Sequence, residues 1–361
     1  MSLTREIEPG HHHEPGGNSR AGQRPDTVPR RLFRDGNAGF WNPDDIDLTQ
    51  DEADFAMLPA DERRLIRVLI ANLLAASESV HQDLQPFVTA VAAEGRRDDE
   101  AYLTQLLFEE AKHAQAIRTW FEAVGIGDDL PWFAESGAFR RRIFLEELSW
   151  SLYALTDDHS PAAQIRASVT HNHIVEGSLA LTCYAAWGKI CQSHGIFPGL
   201  GKIIQHIATD ERRHVAWGTF TCRRHVAADD DNWTIVTLRT QELLPLATAL
   251  ITDMLTPVES GTPFGINTEA LTTRVLARAT RRLRSIAQAR GRRVEEIDRD
   301  HSPMRVEDEN VTARPGGDTV SQTVAPIKPQ RWPPPPTTSS NSRYEPPAWE
   351  TGLTGAPTGS E

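Results

Sequence analysis

Two short spacings in this chain set a carboxylate beside an imidazole. Glu110 and His113 lie in Phe108-Glu109-Glu110-Ala111-Lys112-His113, and Glu211 and His214 lie in Asp210-Glu211-Arg212-Arg213-His214. Residues three apart leave the same face of a helix as neighbours. Such a pair can hold a cation, move a proton, or form an internal ion pair. Both motifs sit among apolar residues, with Phe108 and Ala111 around the first and Ile207, Val215 and Trp217 around the second. A further match, Glu8 to His11, falls in a Gly-, Pro- and His-rich stretch and is read as accidental. A buried carboxylate must be neutralised, paired or bound to a cation. Two Glu–His pairs on two helices point to a cation. The competing reading is a bundle with internal Arg–Glu and His–Glu pairs, for which Arg212, Arg213 and Lys112 are at hand.

One known arrangement in helical bundles builds a two-metal site from a lone Glu on each of two helices and a Glu-x-x-His on each of two others. Two lone acids are therefore expected. Glu176 answers in His173-Ile174-Val175-Glu176-Gly177-Ser178-Leu179, an acid inside an apolar stripe. Glu78, after the apolar run from Leu69 to Ala76, is the other candidate. Carboxylate oxygens with two imidazoles suit iron or manganese, two ions per chain. Asp210 is placed to bond the outer nitrogen of a ligating histidine, or to sit on the helix surface.

These side chains require long helices, and the chain reads as helical nearly throughout. Apolar residues recur at steps of three and four from Ala60 to about Glu94, with Pro59 at the start. Further helices are expected over about 98–124, closed by Gly125 and Gly127, and over 139–155, 160–194, 200–227, 232–255 and 268–290. No run reads as a strand pair. The fold class is all-α, a ferritin-like helical bundle with extra helices, over residues 31–298. Residues 1–30 and the Pro/Ser/Thr-rich 299–361 are expected to be disordered tails, since they carry too little apolar surface to offset ordering.

Composition narrows the function classes. A net charge of −12 argues against general nucleic-acid binding. No apolar run is long enough for a membrane span, and the first residues lack a signal-peptide core, so a cytoplasmic protein is expected. Cys183, Cys191 and Cys222 form neither a C-x-x-C nor an even disulfide set.

At these residues the sequence resembles the R2-like ligand-binding oxidases, relatives of the ribonucleotide reductase small subunit. The likeness runs from about Phe40 to Ala289 and is carried by QDLQPF (82–87), YLTQLLFEEAKHAQ (102–115), IVEGSLALTCYAAW (174–187) and DERRHVAWGTFTCRRH (210–225). The resemblance implies an oxidoreductase that activates O2 at a mixed Mn/Fe or Fe/Fe site. It also implies a long-chain fatty acid or similar apolar molecule held beside the metals, and a homodimer. Glu110, His113, Glu176, Glu211 and His214 match the family's metal ligands.

Two positions depart from the family. Aligned without gaps from QDLQPF, the first-helix Glu ligand falls on Ser77, with Glu78 one residue later, about 100° further round the helix. The family's tyrosine five residues before the fourth acid, cross-linked there to a first-helix valine, is His171 here, with Val80 at the valine's place. That ether bond cannot form without the phenol. His171 is a candidate to enter the metal shell as a catalytic-site residue and offset the change at position 77, with His81 as a second candidate; the competing reading makes each an ordinary polar residue lining a wet pocket. Alternatives from other classes are a radical-generating ribonucleotide reductase subunit, supported by Tyr344 and Trp349 near the C-terminus, and a non-catalytic metal- or ligand-binding remnant.

Overall fold

Caps, prolines and glycines set where each helix begins and ends. The computed structural model describes residues 26–126, 138–255 and 263–308, without the side chains of 72, 75, 76, 78–82, 138, 255, 263 and 308. Val28–Ala38 forms α1 and Thr49–Met57 forms α2. The helix expected from 60 to 94 is two helices, Ala60–Asp83 (α3) and Gln85–Ala93 (α4). Pro86 explains the break: its ring clashes with the preceding turn and it has no N–H to donate. Arg97–Ala123 is α5, opened by Asp98, Asp99 and Glu100 at the positive end of its dipole and followed by Gly125 at φ 70°.

The next two helices contain wide turns. Helix α6 starts at Ala138–Arg140, continues as a π-helix over Arg141–Leu148 and ends as Ser149–Tyr153. Helix α7 runs through Pro161–Ser168, a π-helical Val169–Ala180 and Leu181–His194. Ser160 caps it through its hydroxyl, and Gly195 stops it in the left-handed region at φ 64°. Then come Pro198–Ala228 (α8), Asn232–Leu255 (α9), Thr268–Ala287 (α10), Val294–Ile297 (α11) and Ser302–Asp308 (α12). The start of α8 is fixed from α2: Asp51 accepts from the N–H groups of Gly199 and Leu200, and Asp54 from that of Phe197.

The described residues form an all-α bundle with no strand among them. Helices α3, α5, α7 and α8 make its centre, packed α3 on α5, α5 on α8, and α7 on both α8 and α3. Two apolar clusters fill it. One holds Tyr102, Leu106, Ile174, Leu179, Trp217 and Phe220; the other holds Ile66, Ala116, Trp120, Tyr184, Ile204 and Ile207. On α5 and α8 alike, the residues between the two clusters are the polar ones, 109–113 and 210–214. Apolar residues thus pack above and below this polar layer.

Most of both expected tails lies outside the described residues. Where the chain is described it is helical: α1 already covers 28–30, and α12 packs on α8 and α10, with Glu307 buried against Arg282. The helical body thus runs past 31 and 298 at both ends. No described helix is long and apolar enough to cross a membrane.

Candidate metal centre

The polar layer gathers side chains from three helices. Helix α5 supplies Glu110 and His113, α7 supplies His171 and Glu176, and α8 supplies Glu211 and His214, all buried. One ligand atom from each of Glu110, Glu176, Glu211 and His214 lies within 4.8 Å of the others. His214 Nδ1 is 3.0 Å from Glu176 Oε1 and 3.4 Å from Glu110 Oε1. His113 turns Nδ1 the same way, 3.8 Å from Glu110 Oε1. On α3, Ser77 is buried, while the side chains of Glu78, Val80 and His81 lie outside the described residues.

His171 reaches this layer because the helix is π there. Five residues separate it from Glu176, about 140° on an α-helix, yet its Nε2 lies 3.1 Å from Glu176 Oε1. The i→i+5 bonding of a π-helix brings residues five apart onto a common side. Asn172 completes the group, its Nδ2 donating to Glu176 Oε2 at 2.8 Å and lying 3.2 Å from His171 Nδ1. Gly218 makes room for it: a Cβ there would meet Asn172 Cβ at 2.3 Å.

Both motif histidines present Nδ1 to the interior and Nε2 to an outer carboxylate. His113 Nε2 bonds Asp210 Oδ2 at 3.0 Å, and His214 Nε2 bonds Glu109 Oε2 at 2.9 Å. Arg213 ties the two together, its Nη2 donating to Glu109 Oε1 and Asp210 Oδ1 at 2.6 Å each. Trp41 Nε1 donates to Asp210 at 2.8 Å, and Lys112 lies 3.3 Å from it. Asp210 therefore occupies the outer position anticipated from the sequence. Glu109 was not anticipated, and Arg213 binds outer acids rather than the inner ones. Each hides in a like-charged doublet, Glu109-Glu110 and Arg212-Arg213, where only the helix phase tells the inner residue from the outer.

The electrostatics of the layer suit the binding of cations. Glu110 Oε1, Glu211 Oε2, His113 Nδ1 and His171 Nε2 are buried without a hydrogen-bond partner. Burial, reinforced by the charges of Glu176 and Glu110, pushes the Glu211 carboxyl well above its ordinary range. Its Oε1 accepts from the Tyr184 hydroxyl at 3.0 Å. For Glu176 burial acts upward too, but the nearby His171 and His214 outweigh it and hold the carboxyl low. Burial would lower His113, yet its bond to Asp210 and the charge of Glu110 lift it to about 9. Three buried acids held by imidazoles and protons, with unused lone pairs converging, fit a divalent pair: cations would replace the protons.

The sequence matches the model of the ribonucleotide reductase small chain over residues 30–290. Solved structures of R2-like ligand-binding oxidases are similar over most of their length. One with an aerobically reconstituted Mn/Fe cofactor (long soak) is 32% identical at a TM-score of 0.67, covering 71% of this chain and 92% of that one. A Val-to-Ile variant, likewise with aerobically reconstituted Mn/Fe cofactor, has the same identity and TM-score and is covered to 93%. A Tyr-to-Phe variant is 33% identical.

Proposed function

This chain belongs to the ribonucleotide reductase small-chain family, among its R2-like ligand-binding oxidases, and we propose that it works as a di-metal carboxylate oxidase. Its ions are iron and manganese, or two irons, and it uses O2 to oxidise a small apolar or fatty-acid-like molecule. The observation that carries this is the convergence of unused buried donors from α5, α7 and α8 on one layer. Glu110, His113, Glu176, Glu211 and His214 are the ligands, and His171 Nε2 adds a nitrogen that the phenol of other members would not offer. Glu78, from α3, supplies the remaining carboxylate. Two such ions, when bound, supply electrons for reducing O2.

The protein's own residues set the conditions. Asp210 and Glu109 fix the ring orientation of His113 and His214, and Arg213 fixes both acids. Tyr184 orients Glu211 through its hydroxyl. The apolar clusters on either side keep water out, which strengthens each charge interaction in the layer. Replacing a carboxylate at position 77 and a phenol at 171 by a serine and an imidazole makes the donor set richer in nitrogen. That shifts metal preference and potential relative to the family. A homodimer is part of this reading, and light scattering of the full chain tests it.

The experiment is oxygen uptake by protein loaded anaerobically with Fe(II) and Mn(II), with and without a C8–C18 fatty acid, followed by mass spectrometry of the extracted acid under labelled O2. Acid-stimulated uptake with label in the acid supports the reading. Uptake that needs an added nucleotide reductase large subunit, with no change in the acid, favours a radical-generating subunit.

A further inference from the structure

The wide turns of α7 need something to hold them. Val169–Ala180 is π-helical over 12 residues, whereas π-turns ordinarily appear singly inside α-helices. At the end of this stretch the Leu181 N–H bonds the Glu176 carbonyl, five residues back, where an α-turn would use that of Gly177. The Gly177 carbonyl accepts from Arg282 Nη2 of α10 at 2.9 Å. A buried carbonyl requires a donor, so this bond favours the wide register, in which the Leu181 N–H does not compete for the same oxygen.

The guanidinium is built into its place. A Cβ on Gly177 would stand 2.6 Å from Arg282 Cζ and Nη1, so only glycine lets it lie against the helix. Helix α12 holds it there: Glu307 accepts from Arg282 Nε and Nη2 at 2.8 Å each, and both side chains are 2% exposed. Nearby is a second buried guanidinium, Arg278, which burial and the Arg282 charge push down to about 9. Like charges under cover are costly without an acid. Without Glu307, Arg282 would therefore be driven away from Gly177 toward water.

We infer that Arg282, clamped by Glu307 of α12, is a positioning residue for the metal centre, fixing the π-helical register that brings His171 to Glu176. His171 Nε2 lies 3.1 Å from Glu176 Oε1 in that register. With α-turns over the same stretch the two side chains would point about 140° apart. The geometry of the centre thus depends on α12, a helix that contributes no ligand. The inference rests on the two-metal reading in taking Glu176 and His171 as ligands.

The test titrates the metal-free full chain with Co(II), a divalent stand-in whose visible absorption reports the number and geometry of its ligands. Replacing a buried ion pair by apolar residues of similar volume is often neutral or stabilising. Arg282→Met combined with Glu307→Leu is therefore expected to melt at or above the wild-type temperature. Had the pair served only to hold α12 down, Co(II) binding in this double variant would match wild type. A positioning role instead gives Co(II) affinity weaker by at least about 10-fold, with shifted bands. Gly177→Ala, which keeps both charges and displaces the guanidinium, should shift the bands in the same direction. Wild-type affinity and bands in either variant overturn the inference, and so does failure of both variants to fold. No Co(II) uptake by the wild-type chain sinks the metal reading and the inference with it; uptake that the variants leave unchanged sinks the inference alone.

Discussion

Replacing Arg213 by Met removes the tie between the two outer carboxylates. The side chain is nine-tenths buried, and its Nη2 makes 2.6 Å bonds to Glu109 and Asp210, themselves almost wholly enclosed. Each charge-assisted bond contributes about 1.5–3 kcal/mol. Taking away one partner of a buried charge group costs about 3–5 kcal/mol, because the acids are left unpaired. In a helical body of this size that corresponds to a fall of roughly 6–20 °C in melting temperature. The effect on the centre is separate: the acids that fix His113 and His214 are freed to turn, and loss of such an outer partner weakens metal binding by roughly 10–100-fold. Chelator competition for Fe(II) and Mn(II) measures the second effect, and calorimetry of the metal-free chain measures the first. Adding Glu109→Gln should recover part of the stability, since the amide leaves no unpaired charge, without restoring metal affinity to the wild-type value. Metal affinity within about twofold of wild type in Arg213→Met would refute the reasoning.

Other expectations follow from the same geometry. His171→Ala should lower metal content or change the Fe:Mn ratio, read by elemental analysis; unchanged content and spectrum would show that its Nε2 does not reach an ion. Gly218→Ala drives a methyl into Asn172, which holds Glu176 and His171. Metal occupancy should fall while helix content by circular dichroism is kept, and full occupancy would contradict this. For the metal-free chain, His113 is raised to about 9 from an ordinary 6.5. A raised histidine gives stability that is complete below the unfolded value and lost as pH climbs through the folded one. Thermal stability should therefore fall between about pH 6.5 and 9, by up to about 3 kcal/mol. Asp210→Asn should flatten the profile, and an unchanged slope in that variant would refute the assignment.

Much of the centre was legible because its chemistry is periodic. Glu110–His113 and Glu211–His214 follow from helix spacing, and Glu176 stands out as an acid in an apolar stripe. Asp210 could be placed by adjacency to the second motif. The partners of His214 and the tie through Arg213 were not legible, since one residue of error in phase, about 100°, exchanges Glu109 with Glu110. The π-helix in α7 has no signature in Val169–Ala180, yet it decides that His171 meets Glu176. In the fold, the seven expected helices are present, with that at 60–94 cut by Pro86. Helices α1 and α2 escaped notice because they are short and mostly polar; α2 matters through Asp51 and Asp54, whose contacts are far away in sequence. Helix α12 looked like the start of a Pro-rich tail, and only the Arg282–Glu307 pair shows why it folds back.

The central claim is that three helices, completed by α3, hold two redox metals. The direct measurement is elemental analysis of the full chain loaded with Fe(II) and Mn(II) without oxygen, then exposed to air while the absorption spectrum is followed. Two ions per chain and an oxygen-dependent absorption change that is lost in Glu176→Ala are expected. One ion or none, with a spectrum indifferent to air, would contradict it.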